Sequence, residues 1–115
     1  MPKGQGFGLG LGKMKELANA FQQAQRIQED AKQLQTELEQ TEVEGTSEDG
    51  QVKVVMSGNQ EPLRVEISPA ALEKGADALA ADVTTAMKVA YGQSSELMKT
   101  RMEDLTSGIN LPGLG

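Results

Sequence analysis

From Lys13 to about Gln40 the apolar residues return every three or four positions: Met14, Leu17, Phe21, Ala24, Ile27, Ala31, Leu34 and Leu38. That is the period of one helix face. The opposite positions are Glu16, Asn19, Gln22, Gln23, Arg26, Glu29, Asp30, Gln33 and Glu37. Neither Gly nor Pro interrupts the run, and strong helix formers fill it, so the spacing predicts one long amphipathic helix. After Gln40 the period drops to two. Val43 lies in a first extended stretch, Thr41–Thr46. Val52, Val54 and Met56 alternate with Lys53 and Val55 in a second, and Leu63, Val65 and Ile67 with Arg64 and Glu66 in a third. Glu48-Asp49-Gly50 and Gly58-Asn59-Gln60-Glu61-Pro62 separate them. Short alternating runs joined by turn chemistry predict a three-stranded antiparallel meander.

Ser68-Pro69 reads as a helix cap followed by Pro at the first helical position. Ala70–Glu73 can then form a short turn of helix, broken near Gly75. A second long helix is predicted from about Ala76 to Thr106, striped by Leu79, Val83, Met87, Ala90, Ser94, Leu97, Met98, Met102 and Leu105. Gly92 interrupts it at a cost of about 1 kcal/mol relative to Ala. The fold class is α+β. The ends differ in kind. Residues 4–12 carry Gly at every second position, which costs backbone entropy and buries little, so residues 1–12 are expected to be a flexible Gly-rich arm. No register there fits a nucleotide-binding loop. The domain proper spans 13–106, and 107–115 is expected to be a flexible tail.

A helix over Lys13–Gln40 would be about 42 Å long. A compact chain of this size is only about 35 Å across. Its stripe therefore has to bury against the second long helix, a partner, or both, and the sheet has open edges. A homodimer answers both needs. Leu17, Phe21, Val52, Val54, Met56, Val65, Ile67, Val83 and Met87 are the candidate core and interface residues.

Composition narrows the chemistry. The 115 residues suit one domain, and with 37% hydrophobic and 3% aromatic content its core is thin. Cys, His and Trp are absent, which excludes disulfides, thiolate and His-based zinc sites, and His-dependent nucleophiles. Glu29-Asp30 and Glu48-Asp49 are sequence neighbours that rarely share a pocket, and Ser94-Ser95 has no activating base. An enzyme, a metal, a cofactor or a small-molecule substrate is not expected. No apolar run approaches the ~18 residues of a membrane span, and the start lacks a secretory apolar region, so no membrane partner and a cytoplasmic location are expected. The net charge of -6 is unevenly spread: residues 1–15 hold three lysines and no acid. An acidic total leaves room for a local basic patch, because charges more than ~8 Å apart are largely screened.

Taken in order, Gly10-Leu11-Gly12-Lys13-Met14, Ala24-Gln25, Val43-Glu44-Gly45 and Gly50-Gln51-Val52-Lys53-Val54 form a recognisable series. Ser57-Gly58, Val65-Glu66-Ile67-Ser68-Pro69 and Ser107-Gly108-Ile109-Asn110-Leu111-Pro112-Gly113 continue it. Together they resemble the YbaB/EbfC family of bacterial nucleoid-associated proteins over nearly the whole chain. Ser68 stands where relatives often have Asp; both residues cap helices. The resemblance implies a tweezer-like homodimer with helical arms. It also implies binding of double-stranded DNA, altered DNA conformation, and roles in nucleoid organisation and gene regulation without catalysis.

Duplex binding needs Lys or Arg against phosphates. The candidates are Lys3, Lys13 and Lys15 at the amino end, Arg26 further along the first helix, and Lys88, Lys99 and Arg101 on the last. Antiparallel packing of the long helices would bring Lys13 and Lys15 towards Lys99 and Arg101 in a four-base tip. The competing class is an acidic dimeric chaperone or adaptor whose helical arms hold protein clients by apolar contacts.

Overall fold

The computed structural model describes residues 3–107, with side chains from Gly12 onward. The elements are α1 (Lys3–Gln40), β1 (Glu42–Thr46), β2 (Val52–Ser57), β3 (Pro62–Ile67), α2 (Pro69–Glu73) and α3 (Ala76–Ser107). They fall into two compact units, Met1–Lys32 and Gln33–Gly115.

The first unit is the leading stretch of α1. The helix starts ten residues before the position the stripe predicts, and the Gly-rich segment from Lys3 is helical backbone. Phe7 and Leu11 continue the spacing of Met14 by steps of four and three, so the apolar period survives the glycines. The stripe itself is uncovered: Met14, Leu17 and Phe21 are 66%, 68% and 66% exposed.

The second unit holds the last turns of α1, the sheet, α2 and α3. The strands pair antiparallel in the order β1-β2-β3, as the alternation predicts. Val54 is flanked by Gly45 on one side and Val65 on the other. The core is the inner face of β2, with Val52, Val54 and Met56, closed by Ala71, Ala86 and Ala90; Val43, Leu79 and Val83 pack at its margin. The line that α3 turns to the sheet runs through Ala86, Ala90 and Ser94. Met87, a candidate core or interface residue, is exposed, and Ala86 takes the place beside the sheet. The reason is close approach. A Cβ on Gly45 would lie inside van der Waals contact of the Ala86 carbonyl oxygen and the Ala90 amide nitrogen, so helix and strand touch backbone to backbone. Small residues, not large apolar ones, mark that seam.

The β2–β3 turn joins the elements of this unit. The Gly58 amide donates to the carbonyls of Leu38 and Thr41, both at 2.8 Å, capping the end of α1. Buried Ser94 donates from α3 to the Ser57 and Gly58 carbonyls at 3.0 and 2.9 Å. Gln60 reaches Ser95 at 2.6 Å, and takes a positive φ of 71° in the turn. Leu34 and Leu38 are the buried residues of α1 in this unit.

The β1–β2 turn is held separately. Asp49 accepts from Lys74, from Ser47 at 2.7 Å and from the Gln51 amide at 3.1 Å. Lys74 also contacts Asp82 at 2.8 Å, so one ammonium ties the turn to the α2–α3 junction. Lys74, which shows no special pattern in the sequence, is thus a structural clasp. Its hydrogen bond, with that of Ser47, holds the Asp49 carboxyl well below the usual carboxylate range. As expected, Ser68 caps α2 by accepting from Ala71, with Pro69 at its first turn.

Two expected outcomes follow from this packing. Gly45→Val should lower stability by at least ~2 kcal/mol, because the added atoms meet backbone that has no rotamer to change. Gly92→Ala, where a Cβ meets nothing within 4 Å, should raise it by roughly 0.5–1 kcal/mol. Thermal melts of both variants check this contrast. Asp49 binds its proton less readily folded than unfolded, so its contribution is complete above the ordinary value of 3.8 and fades as pH falls below it. The melting difference between the wild type and Asp49→Asn should therefore be full at about pH 6 and shrink below about pH 4.

Candidate nucleic-acid interface

The chain has eleven basic residues, and the structure sorts them by the element that carries them. Those on the sheet, with Lys74 at the end of α2, are held by carboxylates. Arg64 sits 2.8 Å from Glu42 and 3.5 Å from Glu66, and Glu42 above all raises its pKa. Lys53 lies 3.6 Å from Glu44. Lys74 is shared by Asp49 and Asp82. Lys53–Glu44 and Arg64–Glu42 join different strands, and Arg64–Glu66 lies along β3. Among them only the Lys74 clasp is absent from the sequence pattern, since Asp49 and Asp82 come from distant segments.

The candidate bases lie on the long helices. In the first unit Lys13, Lys15 and Arg26 are exposed on α1. Asn19, Gln22, Gln23 and Arg26 share one polar face there, and Met14, Leu17, Ala18 and Phe21 line another. A helix of this composition thus offers a hydrogen-bonding face and an apolar face at once. Lys3 belongs to α1 by its backbone, and its side chain lies outside the described ones.

In the second unit Lys88, Lys99 and Arg101 are exposed on α3. Arg101 lies 3.9 Å from Glu37, a loose, solvent-exposed pair between α3 and the last turns of α1. Such pairs contribute little and exchange readily. The expected tip of Lys13, Lys15, Lys99 and Arg101 draws on both units; the contact that the second unit itself holds is this one with Glu37.

The candidate interface residues divide cleanly. Val52, Val54 and Met56 are buried within the single chain, and Val83 packs against them. Leu17, Phe21, Val65, Ile67 and Met87 are exposed. The first group is core, and the second is apolar surface. Among the described residues no helix is long and apolar enough to cross a membrane.

The profile of the YbaB/EbfC DNA-binding family matches residues 14–109. A nucleoid-associated protein of Synechocystis, slr1847, is 63% identical over 99% of this chain and 100% of its own length. The nucleoid-associated protein PCC8801_2554 of Rippkaea orientalis is 67% identical over the same shares. Among solved structures, the uncharacterized protein HP0035 of Helicobacter pylori superposes with a TM-score of 0.67 at 20% identity. That match covers 75% of this chain and 91% of HP0035, and it supports the fold. With a profile spanning most of its length and relatives of this identity, the chain belongs to the YbaB/EbfC DNA-binding family.

Proposed function

We propose that the protein is a homodimeric nucleoid-associated protein that binds double-stranded DNA and alters its conformation. In that role it contributes to nucleoid organisation and gene regulation in the cytoplasm. The observation that carries this reading is the sorting of the bases. Carboxylates engage Lys53 and Arg64 on the sheet and Lys74 at the end of α2, whereas Lys13, Lys15, Arg26, Lys88 and Lys99 stand exposed on the long helices. Phosphate binding gains from releasing counterions, and exposed helical lysines give up little to do so. Arg101 leaves only a loose partner. The glutamines beside Arg26 can donate to phosphate or sugar oxygens, which orients a protein on duplex DNA without reading sequence.

The homodimer is supported by the apolar surface that one chain leaves open, including Leu17 and Phe21 on α1. A dimer doubles the number of basic helices and relates them by a twofold axis, which suits bridging or bending one duplex.

A second reading rests on the same exposed stripe: an acidic dimeric chaperone or adaptor would hold client proteins on Met14, Leu17 and Phe21. Charge reversal separates the two. Replacing Lys13, Lys15, Lys99 and Arg101 by Glu should weaken duplex binding by at least ~100-fold at about 50 mM salt, as four phosphate contacts are removed. The dimer should persist in sedimentation. Anisotropy of a labelled duplex reads the binding, and unchanged affinity would exclude these four residues as the contact.

A further inference from the structure

The leading stretch of α1 carries two chemistries on one side. Met14, Leu17 and Phe21 are 66%, 68% and 66% exposed, and with Ala18 they line one shallow groove. Steps of about 100° per residue gather these four into a single apolar face. The same steps put Lys13 and Lys15 on its two flanks, one on either side of Met14, and both are exposed. Glu16, the one acid before Glu29, falls roughly 200° around from Met14, on the far side. Asn19, Gln22, Gln23 and Arg26 share that far, polar face.

The charge of this stretch departs from that of the whole chain. Residues 1–28 hold four bases and one acid, a net charge of +3, in a chain of net charge -6. An apolar face rimmed by lysine, backed by a glutamine-rich polar face, is the pattern of a helix that lies in a membrane–water interface. Duplex DNA meets only half of it: phosphates attract the lysines but give Leu17 and Phe21 no apolar cover. A second copy of the chain would bring the same positive rim. An anionic bilayer surface answers both features. Its acyl boundary takes apolar side chains to a depth of about 5–10 Å, and its negative headgroups attract the ammonium groups at the rim. Lysine stems lie along the apolar side while their charges stay among the headgroups. A helix too polar to cross a bilayer can lie in its surface, because that needs one apolar face and not an apolar circumference.

We propose that the leading stretch of α1 docks on anionic lipid bilayers, with Met14, Leu17 and Phe21 entering the acyl boundary and Lys13 and Lys15 meeting lipid phosphates. The proposal stands apart from the DNA reading. It assigns the α1 face to lipid, and leaves Leu63, Val65, Ile67 and Met87 as the apolar surface of the second unit.

The test is flotation of the full chain with vesicles, of phosphatidylcholine alone or of phosphatidylcholine with an equal part of phosphatidylglycerol. The wild type should float with the anionic vesicles and bind the neutral ones at least tenfold more weakly. Leu17→Gln combined with Phe21→Gln adds no charge and keeps good helix formers, which circular dichroism checks. That pair should bind anionic vesicles at least tenfold more weakly, and so should Lys13→Gln combined with Lys15→Gln. A wild type that does not float, or a Leu17/Phe21 variant that floats as well as the wild type, would overturn the proposal. Equal binding to both vesicle types would overturn the contact with lipid phosphates. A wild type that stays off the vesicles, with a Leu17/Phe21 variant that sediments as a smaller species, would overturn it in favour of a second copy on this face. Leu17→Trp gives an independent measurement, since the chain has no Trp. Its emission should shift to the blue on anionic vesicles, and unchanged emission from a variant that floats would overturn α1 as the contact.

Discussion

The β2–β3 turn is the joint on which the second unit depends. One amide, that of Gly58, satisfies two carbonyls at the end of α1, and one hydroxyl, that of Ser94, reaches the Ser57 and Gly58 carbonyls from α3. A helix end leaves carbonyls without partners, and here a strand turn supplies the missing donor. The fit leaves no room for a side chain: a Cβ on Gly58 would stand 2.9 Å from the Leu38 carbonyl oxygen. A single tight turn thereby fixes where the last turns of α1 leave the sheet and where α3 passes over it. The same economy recurs at Gly45, where β1 approaches the backbone of Ala86 and Ala90. With few aromatic residues to fill space, the chain builds its core by bringing backbones close, and small residues carry the packing.

This construction bears on how an acidic chain can belong to a DNA-binding family. Net charge acts over a surface, but phosphates respond to the charges within about a Debye length. Ion pairs across the sheet use up its bases, and the acids there are neutralised in turn. Lys13 and Lys15 on α1 and Lys88 and Lys99 on α3 stand exposed. Affinity of that kind is electrostatic and independent of sequence unless other groups add to it. Apolar surface is left on β3, at Leu63, Val65 and Ile67, and on the leading stretch of α1, at Met14, Leu17 and Phe21.

Periodicity carried much of the fold. The change from steps of three and four to steps of two marks α1, the sheet and α3, and Ser68-Pro69 marks α2. Three features escaped it, each for a physical reason. The helix start at Lys3 was hidden because glycine propensity argues locally against a helix, while Phe7 and Leu11 keep its period. On α3 the stripe marked Ala90 and Ser94 of the seam but took Met87 where Ala86 meets the sheet, because hydrophobic scales reward size and the contact at Gly45 selects smallness. The Lys74 clasp was invisible because its partners are remote in sequence. The candidate bases were legible as residue types on helices. Which bases carboxylates would engage was legible only for the sheet, where neighbours are set by register.

The central claim is that exposed helical bases meet phosphates. The most direct measurement is the affinity of the wild-type protein for a labelled duplex between about 50 and 200 mM salt. The account predicts saturable binding that falls steeply with salt, with a log–log slope of roughly -0.9 for each phosphate neutralised. Binding that is indifferent to salt, or absent at the lower concentration, would contradict it and favour the apolar capture of protein clients.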